Sequence, residues 1–293
     1  MKKAALLGLL ILMALWPLHA QNDRHSRRLQ LRQQQQANRT VYGTADDGTA
    51  LRWTVYPATG PGPHPSVLVI HGGSFKAEPG SPRAIQSAKD AAASGFNAFQ
   101  IEYRLASREG IPGQKSAGRY PDQVNDVRVA VRAARKYPGS NGKVGAIGGS
   151  AGGSHDVYVA ATGTVGDDRL DAAVSLSGAY DFTENGPEEQ RAFRRLVTSY
   201  VGSGDKAALQ KASPITYVDA KVAPLFIVAS DHESMPSSQY NDLTRKLESL
   251  GLTNYEKVLM TNSQAHAFAN WPAVKDRALA FLHKYLDSEK PSS

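Results

Sequence analysis

A serine set among glycines is the first feature of this sequence that could carry out chemistry. Residues 148–152 read Gly-Gly-Ser-Ala-Gly, the G-x-S-x-G pattern, after a short apolar run and before an expected helix. Small residues two positions before and after a serine permit a tight strand-to-helix turn, and the hydroxyl then projects from the edge of the sheet. A glycine-rich turn with a solvated serine explains the pentapeptide equally well, because short motifs recur by chance. Whether Ser150 is a nucleophile therefore depends on the partners that the rest of the chain supplies.

A serine hydroxyl is a weak nucleophile until an imidazole takes its proton and a carboxylate orients that imidazole. Two of the strands expected after Ser150 are followed by such residues, one by Asp231 and Glu233 and the other by His266. Parallel sheets collect ligand chemistry at the carboxyl ends of their strands, so we expect these side chains near the serine. The other seven of the eight histidines lie in the N-terminal leader, in loops or in helices, and His266 is predicted as the base. Both carboxylates are candidates for the acid.

A glycine loop after the first buried strand is suited to binding negative charge. Gly72 and Gly73 follow the apolar run 66–70, and two adjacent glycines let backbone N–H groups turn toward an oxyanion. With the amide of Ala151, directly after the serine, they form a candidate oxyanion hole. A loop of merely flexible glycines is the alternative interpretation.

The residues that could react are spaced by alternating strand and helix patterns. After a predicted β-hairpin over residues 41–56, apolar runs typical of buried strands alternate with helical stretches. Strands are expected at 66–70, 96–103, 144–147, 172–176, 225–229 and 255–259, and helices at 83–93, 122–137, directly after residue 150, 237–250 and 272–286. Such alternation predicts an α/β fold with a mostly parallel central sheet covered by helices on both faces. No shift in composition divides residues 40–288, which we predict to be one catalytic domain with a small cap from the helical segment 188–211.

The N-terminus has the composition of an export signal. Two lysines, an apolar run over 4–16 and an alanine at position 20 predict a signal peptide over residues 1–20, with an uncleaved anchor as the alternative. Residues 21–39 are rich in glutamine and arginine and are predicted to be a disordered linker, and residues 289–293 are predicted to be a tail. The chain has no cysteine, which excludes disulfides and a thiol nucleophile, and its formal net charge of +7 is ascribed to solubility. We expect a secreted or periplasmic protein.

Six short motifs, in order along the chain, resemble the esterase/lipase branch of the α/β-hydrolase superfamily. The similarity is nearest to the bifunctional feruloyl and acetyl-xylan esterase type, related to the hormone-sensitive-lipase-type carboxylesterases, and spans most of residues 65–288. The motifs are His71-Gly72-Gly73, Tyr103-Arg104-Leu105-Ala106, Tyr120-Pro121 with Asp126, residues 148–153, residues 212–217 and His266-Ala267-Phe268. The order serine, acid, histidine, each after its own strand, is also the order of an α/β-hydrolase.

The resemblance implies an α/β-hydrolase fold and a carboxylic ester hydrolase that needs no cofactor. It implies Ser150 as the nucleophile and His266 as the base. It further implies that the oxyanion hole is formed by the amides of Gly72, Gly73 and Ala151.

The chain departs from this family pattern at three places. Ser74 and Phe75 stand where the oxyanion loop often carries glycine and an aromatic residue, and Gly149 precedes the serine where a polar residue is common. Counted along its strand, the family's acid falls on Glu233, although aspartate is the commoner residue type and Asp231 stands two positions earlier. We prefer Glu233, because the length of a strand determines position more strongly than family habit determines residue type. Asp231 is the alternative acid.

These features predict an exported serine esterase for short-chain acyl esters, such as acetyl or feruloyl esters of polysaccharides. One alternative is an amidase or peptidase on the same triad, which the fold alone does not separate from an esterase. The other is a non-catalytic binding module, which would be expected to lose the serine, the histidine or the glycine loop. The sequence has no nucleic-acid-binding motif, dinucleotide fingerprint or zinc-type histidine spacing, so neither nucleic acid, cofactor nor metal is expected. The expected partner is a small-molecule or polysaccharide ester, and the acyl and alcohol specificity and the oligomeric state stay open.

Overall fold

A computed structural model describes residues 39–77, 81–107, 110–184 and 190–287. The strands are Arg39–Thr44 (β1), Ala50–Tyr56 (β2), His64–Ile70 (β3), Asn97–Ile101 (β4), Ser140–Gly149 (β5), Ala172–Leu176 (β6), Leu225–Ser230 (β7) and Tyr255–Met260 (β8). The helices are Pro82–Ala93 (α1), Asp122–Arg135 (α2), Ala151–Ala161 (α3), Arg191–Val201 (α4), Lys206–Ala212 (α5), Ser237–Ser249 (α6) and Trp271–Leu286 (α7). Short 3₁₀ turns at Pro214–Tyr217 and Ala267–Asn270 complete these elements.

The eight strands form one sheet in the order β1-β2-β4-β3-β5-β6-β7-β8. β2 pairs antiparallel with β4, whereas β4, β3, β5, β6, β7 and β8 pair parallel with their neighbours. The α/β fold with a mostly parallel sheet is therefore confirmed. Because β5, β6, β7 and β8 lie side by side, the segments that follow them leave the sheet along one edge, where parallel sheets hold their ligand sites.

Helices cover both faces of the sheet, which explains why the central strands are apolar along their whole length. One face packs against α2, α3 and α6, represented by Val127, Val157 and Leu243. The other packs against α1 and α7, represented by Ala88 and Leu282. All five of these side chains are fully buried.

The boundaries differ most at β5, which runs for ten residues rather than the four expected. Its first residue, Ser140, pairs with His64 of β3 across a register shift. The amide of His64 also donates to the carbonyl of Gly139 at 2.8 Å. These pairings join backbone groups of polar residues, so no apolar pattern in the sequence signals them. His64, expected in a loop, is consequently the first residue of β3.

Two helices, α4 and α5, occupy the connection between β6 and β7, where the sequence predicts a cap. Val197 and Tyr200 of α4 and Leu209 of α5 belong to a buried apolar cluster that also contains Phe75 and Ala151. The inserted helices therefore pack on the residues around the predicted oxyanion hole. Residues 188 and 189 of the expected cap segment lie outside the described residues.

The predicted signal peptide (1–20), nearly all of the predicted linker (21–39) and the predicted tail (289–293) also lie outside the described residues. Within the described ranges, no helix combines the length and the apolar composition needed to cross a membrane.

Candidate active site

Ser150 stands at a strained turn between β5 and α3. Its backbone has φ 55° and ψ −118°, and a positive φ costs a non-glycine residue about 1–3 kcal/mol unless the surroundings hold it in place. Its amide donates a 2.8 Å hydrogen bond to the carbonyl of Leu176, at the end of β6. The half-buried serine therefore lies at the carboxyl edge of the sheet, in the strand-to-helix turn that the G-x-S-x-G pattern predicts.

The glycines of this motif are needed because backbone and ring atoms approach them closely. A Cβ atom on Gly152 would lie 2.1 Å from the carbonyl oxygen of Ile70, at the end of β3. A Cβ atom on Gly149 would lie 2.7 Å from the ring of Phe268, which follows His266 by two residues. The start of α3 thus contacts β3, and the chain after His266 packs against the residue before Ser150.

The structure brings two of the three predicted oxyanion-hole residues against the serine. A Cβ atom on Gly72 would lie only 3.0 Å from the Cβ of Ser150. Ala151 is the first residue of α3, where a backbone N–H has no acceptor within its own helix. Gly73 comes directly after Gly72, and its φ of 110° is open only to glycine without strain.

The loop after Gly73 keeps its shape through a buried phenylalanine. Ser74 and Phe75 both have positive φ, 56° and 64°, which is strained for residues with a side chain. The ring of Phe75 is 1% exposed and stacks on Tyr200 of α4 with 4.0 Å between ring centroids. Its carbonyl accepts hydrogen bonds from Gln123 Nε2 at 2.7 Å and from the amide of Ala106 at 2.8 Å. These contacts hold the loop against its own backbone strain.

Two buried histidines brace the same loop from behind. The Nδ1 of His71 donates to the carbonyl of Gly72 at 2.6 Å, and Tyr103 donates its hydroxyl to the carbonyl of His71 at 2.8 Å. His155 Nε2 lies 2.9 Å from Gln123 Oε1. Since the amide nitrogen of Gln123 already donates twice, its oxygen is the acceptor and His155 carries the proton.

Burial determines the charge state of both rings. It lowers the pKa of His71 to about 4 and that of His155 to about 3, because a protonated imidazole would lose its hydration. Both rings are therefore neutral hydrogen-bond donors near neutral pH, with structural roles beside the loop.

The predicted base and one of the two predicted acids are in direct contact. His266 Nδ1 lies 2.5 Å from Glu233 Oε2. The second oxygen of Glu233 accepts the amide of Ser230 at 2.8 Å, so both carboxylate oxygens are engaged. The side chain of Glu233 is 2% exposed and that of His266 is 33% exposed. The geometry leaves Nε2, the other ring nitrogen of His266, for a partner other than Glu233.

Asp231, the alternative acid, bonds elsewhere. Its carboxylate accepts the amides of Asn262 at 2.8 Å and Ser263 at 3.0 Å and lies 2.8 Å from His232 Nδ1. Among the described residues, no hydrogen bond joins Asp231 to His266. Glu233, the preferred acid, and Asp231, the alternative, therefore have different partners in the fold.

Ser177, which the sequence analysis did not select, anchors the segment after His266. Its hydroxyl accepts the amide of Ala267 at 3.0 Å, and both residues have positive φ, 54° and 52°. Ser177 follows β6 directly, so a search of every strand end for polar residues would have found it. In the described part of the chain no hydrogen bond joins the Ser150 hydroxyl to His266, and contacts in apo active sites often tighten only when substrate binds.

An apolar cluster includes Ala151, the residue after the serine. Phe182 is buried in the same cluster, and the partly exposed side chains packed on it include Phe193, Leu196 and Met235. Apolar side chains that exclude water strengthen charge–dipole interactions at a reacting centre. They also favour the apolar part of a substrate over water.

A second ionisable group lies behind the serine turn. The side chain of Asp156, on α3, is fully buried, and a Cβ atom on Gly148 would lie 2.4 Å from its Oδ2. Burial raises its pKa well above the usual aspartate range, because the charged form would be desolvated. Burial therefore favours the protonated form of Asp156 beneath the turn. Nothing in its sequence context distinguishes it from an ordinary helix residue.

Within the described ranges, no cluster of three histidine, cysteine, aspartate or glutamate side chains is arranged to hold a metal ion.

Comparison with protein families identifies the class to which this fold and site belong. Residues 54–247 match the BD-FAE family, which is an α/β-hydrolase-type esterase family. The chain belongs to the BD-FAE family, and the resemblance to the esterase branch of the α/β-hydrolases is confirmed.

Solved structures of esterases share the fold at low sequence identity. The esterase Est2 of the Planctomycetes species Thermogutta terrifontis is 19% identical with a TM-score of 0.67, over 87% of this chain and 94% of that one. The same esterase phosphonylated by sarin gives 18% identity and a TM-score of 0.70, over 86% of this chain and 96% of that one. A bifunctional GH43-CE protein of Bacteroides eggerthii is 19% identical with a TM-score of 0.67, and the match covers 85% of this chain but 35% of that longer one. The α/β-hydrolase fold is thus shown for this protein.

Proposed function

We propose that this protein is a serine carboxylic-ester hydrolase whose triad is Ser150, His266 and Glu233. The observation that carries the proposal is the 2.5 Å contact between His266 Nδ1 and a buried oxygen of Glu233. A buried carboxylate on Nδ1 holds an imidazole in the tautomer whose Nε2 accepts a proton. The packing of Phe268 against Gly149 brings that imidazole's segment to the turn that carries Ser150.

In the proposed reaction, the Ser150 hydroxyl attacks the ester carbonyl while His266 Nε2 takes its proton. The resulting oxyanion is bound by the backbone N–H groups of Gly72, Gly73 and Ala151. Collapse of the tetrahedral intermediate breaks the ester bond, and the alcohol leaves with the proton from His266. Water then attacks the acyl-enzyme while His266 Nε2 takes its proton. The bond between the acyl carbon and Ser150 Oγ breaks, His266 returns the proton to Oγ, and the acid is released. Glu233 stabilises the imidazolium that forms in both halves of the reaction.

We propose short-chain acyl esters as substrates, with acetyl or feruloyl esters of polysaccharides as the specific class. Two observations support this choice. The apolar cluster that contains Ala151, on which Phe193, Leu196 and Met235 pack, supports an apolar or aromatic group on the substrate. Structural neighbours include the bifunctional GH43-CE protein and a carbohydrate esterase from gut microbiota, the latter 17% identical with a TM-score of 0.66 over 85% of this chain and 96% of that chain.

We further propose export to the periplasm or the medium, supported by the lysine pair and apolar run at the start of the sequence. N-terminal sequencing of the protein recovered outside the cytoplasm tests this, and a mature chain that begins at residue 21 is the expected result. Full-length chain confined to the cytoplasm would refute export without bearing on catalysis.

The catalytic proposal is tested by labelling with a fluorophosphonate, which reacts with activated serines. We expect labelling of the wild type and none of Ser150→Ala, with Ser249→Ala as the matched control because Ser249 is exposed on α6. Organophosphate capture of the structural neighbour esterase 2 supports this choice of probe. Unlabelled wild-type protein, or equal labelling of Ser150→Ala, would refute the nucleophile.

Assays of matched acetyl, feruloyl and amide substrates then separate the activities. Hydrolysis of an acetyl or feruloyl ester, with the corresponding amide at least about 100-fold slower, is expected for an esterase. Faster turnover of the amide would favour the amidase or peptidase that the sequence left open, since both use the same triad.

A further inference from the structure

The segment that carries His266 has little regular structure of its own. β8 ends at Met260 and the 3₁₀ turn begins at Ala267, so residues 261–266, here called the His266 loop, connect the two. Asn262 has a positive φ of 53°. Because a loop of this length has many conformations of similar energy, something outside it must hold His266 where it meets Glu233.

The residues at the end of β7 supply that support. The hydroxyl of Ser230 donates to that of Ser263 at 3.3 Å, and Asp231 makes the larger number of bonds. The carboxylate of Asp231 accepts two consecutive amides of the His266 loop, those of Asn262 and Ser263, at 2.8 and 3.0 Å. A carboxylate that accepts two backbone N–H groups makes charge-assisted bonds, which are stronger than bonds between neutral groups. The hydrogen bonds from the Ser263 and Asn262 amides, with a smaller contribution from His232, lower the pKa of Asp231, so the carboxylate is ionised near neutral pH.

Backbone bonds on either side of this carboxylate extend the pairing of β7 with β8 into the loop. The amide of Asp231 donates to the carbonyl of Met260 at 3.1 Å, and that of His232 donates to the carbonyl of Ser263 at 3.0 Å. One residue further along, the chain reaches Glu233, whose carboxylate meets His266. The same three-residue stretch therefore both orients the imidazole and holds the loop that carries it.

We propose that Asp231 is a positioning residue that holds the His266 loop so that the imidazole meets Glu233. The proposal rests on the function proposed above and deepens it. It assigns different tasks to the two carboxylates after β7: Glu233 acts on the imidazole itself, and Asp231 acts only through the backbone that carries it.

The test compares Asp231→Ala with Asp231→Asn, and uses Asp242→Ala as the matched control. Asp242 is another solvent-accessible carboxylate, on α6, and pairs with Arg245 three residues later. In Asp231→Ala both loop amides lose their acceptor, whereas the side-chain oxygen of Asn still accepts one amide. kcat and KM are measured on an acetyl ester of a chromogenic phenol, together with thermal unfolding of each variant.

We expect Asp231→Ala to lower kcat by about 10- to 100-fold with KM changed by less than about threefold, because small displacements of a reacting group cost rate more than binding. The kcat of Asp231→Asn should fall by less than about tenfold, and that of Asp242→Ala should stay within about twofold of wild type. In a Glu233→Gln background, adding Asp231→Ala should lower kcat by less than about a further threefold, because the effects of two residues that act through one contact are not additive.

A spectroscopic measurement needs no substrate. The proton between His266 Nδ1 and Glu233 should give a low-field ¹H NMR signal, assigned by its loss in Glu233→Gln. We expect this signal in wild type and Asp242→Ala, and its broadening or loss in Asp231→Ala under conditions where that variant is folded. This readout separates the two proposals, because a wild type that hydrolyses no ester refutes the proposed function while the signal still tests the positioning role.

Two results would overturn the positioning role. The first is an Asp231→Ala variant with wild-type kcat and an intact low-field signal. The second is an inactive Asp231→Ala beside an active Glu233→Gln, which would make Asp231 the acid itself.

Discussion

Two buried imidazoles should make this protein sensitive to acid. Folding keeps His71 and His155 neutral because burial lowers their pKa values to about 4 and about 3, whereas a histidine in the unfolded chain titrates near 6.5. Above about pH 6.5 both imidazoles are neutral in the folded and in the unfolded protein, so they do not lower the free energy of unfolding. As pH falls below 6.5 the unfolded chain binds protons that the folded protein does not, so the free energy of unfolding decreases.

The size of the effect follows from the distance to the ordinary pKa. At pH 4.5, two units below that value, each ring removes about 2.5 kcal/mol from the free energy of unfolding, at about 1.4 kcal/mol per unit. The two rings together remove about 5 kcal/mol, which is a large share of the 5–15 kcal/mol typical of a domain. Because both rings brace the loop of Gly72 and Gly73, activity should be lost along with the fold.

The variant His155→Gln isolates one of the two rings. A glutamine amide can donate to Gln123 Oε1 as the imidazole does, but it does not titrate. Urea unfolding followed by tryptophan fluorescence at pH 7.0 and pH 4.5 measures the loss in each protein. We expect the loss to be about 2.5 kcal/mol smaller in His155→Gln than in wild type. Comparing two pH values within each protein removes the cost of the substitution itself. Equal losses in both proteins would refute the assignment of this acid sensitivity to His155.

Three further predictions concern residues around the serine turn. Asp156→Asn should stabilise the protein more at pH 8 than at pH 5 in urea unfolding, because burial raises the pKa of Asp156 well above its ordinary range while the unfolded carboxyl ionises. An equal gain at both pH values would contradict this. Gly152→Ala should lower both the melting temperature and kcat, because its Cβ would lie 2.1 Å from a carbonyl oxygen. The control Gly204→Ala, whose Cβ would have ordinary contacts, should leave both unchanged. Equal melting temperatures for Gly152→Ala and wild type would refute the close approach. Ser177→Ala should lower the free energy of unfolding by about 1–3 kcal/mol and kcat by about tenfold, because the amide of Ala267 loses its acceptor. An unchanged kcat would show that this bond does not hold the segment after His266.

Periodicity in the sequence predicts the fold well because each strand must be apolar on both faces once helices cover the sheet. The strand at Ala172–Leu176 is found at the predicted residues, and its five side chains are all buried. The pattern fails at β5, where polar residues join the sheet through backbone bonds. A backbone hydrogen bond between two strands needs no particular side chain, so the hydrophobic pattern does not predict it.

The contacts made by the residues that brace the site are the part that the sequence does not reveal. Gln123 lies on α2 and bonds to Phe75, 48 residues earlier, and Ser177 bonds to Ala267, 90 residues later. Glutamine and serine are common on protein surfaces, and only their burial against specific backbone groups makes them informative.

The sequence by itself determined the residue types on which the proposed chemistry depends. A serine between glycines, a glycine loop and a histidine after the last strand are set by residue type and local spacing, because a tight turn favours glycine and an imidazole is the commonest general base near neutral pH. Only the tertiary structure decided which carboxylate touches His266. Asp231 and Glu233 are two residues apart, and their partners depend on how the chain after β7 lies against the loop after β8. That arrangement comes from long-range backbone bonds between separate strands, which no local pattern in the sequence specifies.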